Sequence, residues 1–324
     1  MIAFVRRNSW VIGLFVLFAA LLVFTKIIQP SYGASDFGSL VRAVLPYAFA
    51  VAAQAIVVIA GGIDLSVASM MAVTSVTAAV LMNGASEEFA LVVIPLVLLL
   101  GFCLGAVNGI LIVVTRVPDI VVTLAMLFVF QGLALLILAS PGGGAALWLK
   151  AMMVGTIAIP GVPDWITVWI PNALVILIVA VALVWTPLKR SRLGLSIYAI
   201  GSNELAAFRS GVPVARTKIL AYALAGLFAA MGGITLTMST GIGAPIPGPY
   251  LLASVAAVVL GGVVLGGGRG GLIGPIVAVF VLRLLRTDLT LLSVDPNATA
   301  IIEGTIMVVV VMLGAFLAMR AASK

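Results

Sequence analysis

Residues 43–86 read AVLPYAFAVAAQAIVVIAGGIDLSVASMMAVTSVTAAVLMNGAS, and in these 44 residues Asp64 is the only charge. A helix that crosses a bilayer takes about 20 apolar residues, so the stretch holds two spans rather than one. Gly61 and Gly62 mark the end of the first. Asp64 then stands where the second begins, and its oxygens are expected to accept from the amides of Ser66 and Val67 as a helix cap, worth about 1 kcal/mol. A carboxylate held at mid-membrane would instead cost about 2.5–3.5 kcal/mol. Two roles stay open for Asp64, a structural cap and a charge used in gating or along the solute path.

The rest of the chain has the same character. Of its 324 residues 64% are hydrophobic and only 8% charged, against about 25% charged in an ordinary soluble domain. There are too few polar residues to cover a water-facing surface. The fold class expected is all-α: a polytopic integral membrane protein, read as one domain over 1–324. Expected spans are 10–29, 43–60, 65–82, 90–114, 119–139, 166–186, 218–240, 250–266, 271–286 and 299–319. The first resembles a signal peptide, but its apolar run is too long and lacks a small-residue cleavage site, so it is read as a retained helix.

The net charge of +7 is read for orientation rather than for nucleic acid. With the N-terminus in the cytoplasm, Arg6, Arg7, Arg116, Lys189, Arg190, Arg192, Arg209, Arg216, Lys218, Arg269, Arg320 and Lys324 face inward, 12 of the 17 basic residues. That bias favours ten spans with both termini inside.

The chain has no histidine and one cysteine, Cys103, which excludes a disulfide framework within the chain and a cysteine-based metal site. No GxSxG or HExxH occurs, no two carboxylates share a span, and Glu303 is read as alone in the last one. Catalytic, cofactor and metal residues are therefore expected to be none. The glycine-rich LGGVVLGGGRGGLIG at 260–274 lacks the GxxxxGK[ST] pattern of a phosphate loop. It reads as a tight inner turn, with Arg269 at the membrane–water boundary.

Two loops stand out. Residues 187–217 carry five of the 17 basic residues and contain SNELAAFRSG, a short helix started by Ser202 or Asn203 and ended by Gly211. Ala206, Ala207 and Ser210 give it a small-residue face suited to docking in a cleft. The outer loop 140–165 is broken by glycine and proline around an amphipathic middle that either lies on the membrane or caps the pore. Gly101, Gly105 and Gly109 recur every four residues, the pattern that lets helix backbones approach. Gln54, Asn108, Gln131, Thr74, Thr77, Thr123 and Thr235 are uncharged polar groups within spans, available for interhelical bonds or a solute path.

Four stretches, in order, resemble the ribose/xylose-type permeases of bacterial ABC importers: GGIDLSVAS at 61–69, GAVNGILIVVTRVPDIVVTLAMLFVFQGLAL at 105–135, SRLGLSIYAIGSNELAAFRSGVPVARTKILAYALAG at 191–226 and AAVVLGGVVLGGGRGGLIG at 256–274. The resemblance implies a transport subunit of the inner membrane with no ATPase site of its own, ATP and magnesium being held by separate cytoplasmic ATPase subunits. It implies two permease chains, identical or related, and a periplasmic binding protein that delivers the sugar. By match, Asn203, Glu204, Ala206, Ala207 and Gly211 belong to the ATPase-coupling helix. Asp64, Gln54, Asn108 and Gln131 are candidates for the path or gate. Gly61, Gly62, Gly109, Gly267, Gly268 and Arg269 carry the family signature. The family's acidic pair after the seventh span is replaced here by Leu251, Leu252 and Ser254, which points to one half of a heterodimer. The branched-chain amino acid permeases are a related alternative, and an ATP-independent carrier or channel is an alternative of another class.

Overall fold

The computed structural model describes residues 9–157, 160–246 and 248–322. Arg6, Arg7 and Lys324, used above for orientation, lie outside them. Helices form at each of the ten expected spans: α1 Ser9–Ile28, α2 Ala34–Ile59, α3 Val67–Met82, α4 Ala90–Thr115 and α5 Asp119–Ile137, with a short surface helix α6 at Leu147–Val154. They continue as α7 Asn172–Arg190, α8 Arg192–Ser202, α9 Glu204–Arg209, α10 Val214–Thr240, α11 Tyr250–Leu260, α12 Ile273–Leu291 and α13 Pro296–Ala322. Among the described residues there is no strand, only two isolated bridges. Among the described residues, six helices (α1, α2, α4, α5, α7 and α10) are long and apolar enough to cross a membrane.

Three expectations are corrected. α2 begins nine residues before the expected position 43, because Asp36 accepts from the Gly33 N–H at 2.9 Å and fixes the first turn; Arg42 thus lies inside the helix. α11 stops at Leu260 rather than 266, because Gly262 takes φ +82° and the Val263 N–H returns to the Val258 carbonyl, the hydrogen bonding of a Schellman stop. α7 starts after Pro171, later than expected, and contains a π-helical turn at Val181–Trp185.

α2 and α10 form the centre. α10 runs along α4, α2 and α3, and glycines set how closely. A methyl on Gly101 would sit 2.5 Å from the Gly226 carbonyl oxygen, one on Gly105 would overlap the Tyr222 carbonyl oxygen, and one on Gly109 would lie 2.7 Å from the Ile219 Cα. The four-residue glycine repeat is therefore the α4–α10 seam, as expected of small residues between membrane helices. Across the same core the Ser75 and Thr237 hydroxyls bond each other at 2.8 Å.

Candidate functional site

The ends of α2, α4 and α11 and the starts of α3, α5, α10 and α12 gather at one end of the bundle with α8 and α9. α2 stops there by the same device that ends α11. Gly61 takes φ +92°, its N–H bonds to the Val58 carbonyl and the Gly62 N–H to the Val57 carbonyl. Residues 60–66 then run outside any helix to α3, and three helices clamp them.

Asp64 is fully buried in this break. Its Oδ1 accepts from the Ser66 N–H at 2.8 Å and from the Ser66 hydroxyl at 2.6 Å. The cap residue of α3 is Ser66 itself, so Asp64 stabilises the turn before the helix and takes no bond from Val67. Asn108 of α4 donates to the Ser66 hydroxyl at 2.7 Å. From α5, the Thr123 hydroxyl accepts from the Leu65 N–H at 3.1 Å and lies 3.3 Å from the Ile63 carbonyl oxygen. From α10, the Tyr222 hydroxyl donates to Asp119 at 3.0 Å, and a methyl on Gly62 would fall 2.6 Å from that hydroxyl. Among the described residues, Asp64 Oδ2, Asn108 Oδ1 and both amide atoms of buried Gln54 have no hydrogen-bond partner. Such groups are uncommon in a folded interior and cost about 1–3 kcal/mol each, so they are the first candidates for contact with water or solute.

The other signature residues meet the same break from outside. The Gly268 N–H donates to the Ile59 carbonyl at 2.8 Å. A methyl on Gly267 would lie 2.8 Å from the Gly61 Cα and 2.9 Å from the Gly201 Cα. Arg269 beside them is exposed, and its carbonyl accepts from the Val264 N–H at 3.3 Å.

Gly201 closes α8, a helix that sequence reading leaves as part of a loop. Its first turn is capped by Ser191, which accepts from the Gly194 N–H at 3.1 Å. α9 follows after Asn203, whose side chain accepts from the Ala206 N–H at 2.9 Å, so Asn203 rather than Ser202 is the cap. Gly211 ends α9 at φ +81°. Glu204 accepts from Lys218 at 2.8 Å. The face offered outward differs from expectation. Ala207 is buried, because α9 leans on the start of α10, and the exposed residues include Leu205 and Phe208, Phe208 at 67% of its full area. With Glu204 and Val214 they line a shallow hollow. Two large apolar side chains thus stand exposed on a six-residue helix amid basic sequence.

Of the sequence candidates, Asp64, Asn108, Gly61, Gly62, Gly267, Gly268 and Arg269 come together, with Asn203, Glu204, Ala206 and Gly211 adjoining them through α8. Gln54 is two turns up α2. Gln131 is not brought to this place; it is half-buried on α5, about 18 Å along the helix from Asp119 at 1.5 Å per residue. Gly109 serves the α4–α10 seam. Sequence reading missed Asp119, Tyr222, Leu205 and Phe208. Asp119 had a visible signal, an acid straight after Pro118 where a span begins. Glu303, read as alone, lies 3.5 Å from Arg286.

A family model described as branched-chain amino acid transport system / permease component matches residues 36–311. The chain belongs to this permease family. Among curated relatives, the ribose import permease of Escherichia coli K12 is 33% identical over 262 residues, covering 80% of this chain and 78% of the relative. That of Bacillus subtilis 168 is 32% identical over 306 residues, 93% of this chain and 90% of the relative. The autoinducer 2 import system permease of Photorhabdus temperata is 29% identical over 322 residues, 94% and 91% of the two chains. No solved structure matches. This permease is thus a transport subunit with no ATPase site of its own, a multi-pass protein of the bacterial inner membrane.

Proposed function

We propose that this permease forms the translocation path of an ATP-driven importer for a ribose-like carbohydrate, with separate cytoplasmic ATPase subunits docking on α9. The observation that carries the reading is the exposed Leu205–Phe208 pair, on a capped helix at the same end as the polar helix break. In this reading ten helices cross the membrane with both termini in the cytoplasm. α8, α9 and the 260–272 turn then face the ATPase, and the loops at the far end, with α6, face the binding protein. The permease does no covalent chemistry. ATP binding and hydrolysis move the ATPase pair, α9 follows, and the helices alternate access to a central path. Unpaired Gln54, Asn108 and Asp64 atoms offer hydrogen bonds to hydroxyls without a high-affinity site, and ATP with magnesium stays on the partner. A second permease chain completes the path. The replaced acidic pair at Leu251, Leu252 and Ser254 favours a related chain over an identical one.

The family description raises branched-chain amino acids as a second substrate class; the names of the relatives, ribose import permeases above all, favour the carbohydrate. Cells expressing the permease with its ATPase and binding protein should accumulate labelled ribose, and unlabelled ribose should compete where leucine does not. Phe208→Glu should abolish ATPase co-purification and uptake while membrane insertion stays normal. Uptake at the unmutated rate by that variant would refute docking on α9 and favour an ATP-independent carrier.

A further inference from the structure

Around Ile59, three stretches of backbone meet with no side chain between them. The end of α8 presses Gly201 against the last turn of α2: a methyl there would overlap the Ile59 carbonyl oxygen and lie 2.6 Å from the Gly268 nitrogen. The turn between α11 and α12 touches both, through Gly267 on Gly61 and Gly201 and through the Gly268–Ile59 hydrogen bond. One turn before Gly201, the Tyr198 hydroxyl donates to the Gly270 carbonyl at 2.7 Å.

Gly267 and Gly268 adopt positive φ, +80° and +69°, and their turn alone accounts for glycine. Gly201 is different. It lies within α8, it is not among the residues of positive φ, and glycine inside a helix costs about 0.5–1 kcal/mol relative to alanine. The remaining physical reason for glycine at 201 is the close approach to Ile59 and Gly268.

We propose that Gly201 is the positioning residue that carries displacement of α9 into the α2–α3 break and the α11–α12 turn together, by backbone-on-backbone contact. This rests on the docking of an ATPase on α9. Only Asn203 separates α8 from α9; its N–H bonds to the Ala199 carbonyl at 3.2 Å while its side chain caps α9, so the corner is fixed from both sides. A contact made of side chains can absorb a small shift by changing rotamer, and a contact made of backbone has no such freedom. The receiving element is the polar clamp. Ile59 is three residues before Gly62, which sits against Asp119 and the Tyr222 hydroxyl, and five before Asp64. α8 thereby addresses two helix breaks from one point.

The test uses the full complex in proteoliposomes, permease, ATPase and binding protein, with ribose as the probe and uptake measured per ATP hydrolysed. In the fraction that folds, Gly201→Ala should leave ATPase binding and hydrolysis in place and lower ribose moved per ATP about tenfold, within the usual span of coupling between sites. Tyr198→Phe removes one hydrogen bond without changing the packing and should lower the ratio about two- to tenfold. Gly132→Ala, a glycine with nothing among the described residues within 4 Å of the added methyl, should leave it unchanged. An unchanged ratio in Gly201→Ala overturns the proposal; if that variant fails to fold, an unchanged ratio in Tyr198→Phe does so. Failure of the unmutated permease to bind its ATPase would instead overturn the docking reading, and this proposal with it.

Discussion

Asn108 of α4 donates to the Ser66 hydroxyl at 2.7 Å, and that hydroxyl donates onward to Asp64. Through this pair α4 grips the turn where α2 ends and α3 begins. Removing Asn108 leaves a buried hydroxyl with one bond fewer and a gap beside Asp64. Asn108→Ala should lower stability by about 1–3 kcal/mol, read as a fall in the melting temperature of the detergent-purified chain. A melting temperature equal to that of the unmutated chain would show that the grip is not used.

Asp64 makes both its bonds through a single oxygen. Asparagine can supply that oxygen and alanine cannot. Asp64→Asn is expected to express and melt nearly as the unmutated chain does, whereas Asp64→Ala should lose about 1–3 kcal/mol. Uptake by Asp64→Asn then isolates the charge: a fall with folding intact assigns the charge a part in transport, and normal uptake makes Asp64 a structural turn residue.

The α4–α10 seam predicts opposite fates for two glycines. A methyl at Gly105 overlaps the Tyr222 carbonyl, while a methyl at Gly132 of α5 meets nothing within 4 Å. Gly105→Ala should force the helices apart and greatly reduce folded protein on size-exclusion chromatography. Gly132→Ala should be neutral or stabilise by about 0.5–1 kcal/mol through helix propensity. Equal yields for the two would contradict the seam.

Glu204 and Lys218 are 2.8 Å apart, and the Glu204 side chain is 53% exposed. Pairs this open contribute about 0.2–1 kcal/mol. Lys218→Ala should therefore change the melting temperature by no more than a few degrees. If ATPase co-purification falls sharply in that variant while melting holds, Glu204 orientation serves the partner and not the fold.

The apolar runs and glycine pairs made the helices and their breaks legible in sequence, since a span and a Schellman stop both follow from local chemistry. Asn203 and Gly211 were readable as caps of α9 for the same reason. The face of α9 was not, because burial of Ala207 depends on how α9 meets α10, a contact set by residues outside the helix. Asp119 and Tyr222 escaped for a similar reason: their pairing joins positions 103 residues apart. Position 201 looked like an ordinary glycine in a loop until Ile59 and Gly268 were placed against it.

The burial of α2 bears on how the chain is made. Among the six long spans it has the lowest mean hydropathy, 1.8, and the greatest buried share, 89%; α10 follows at 1.9 and 67%, while α4 reaches 2.8 with 28% buried. The spans least able to partition into lipid alone are the ones that end up shielded from it. Yet α2 is finished at Ile59, and α10, its main cover, is complete only at Thr240. The centre of the permease is thus laid down early and closed late.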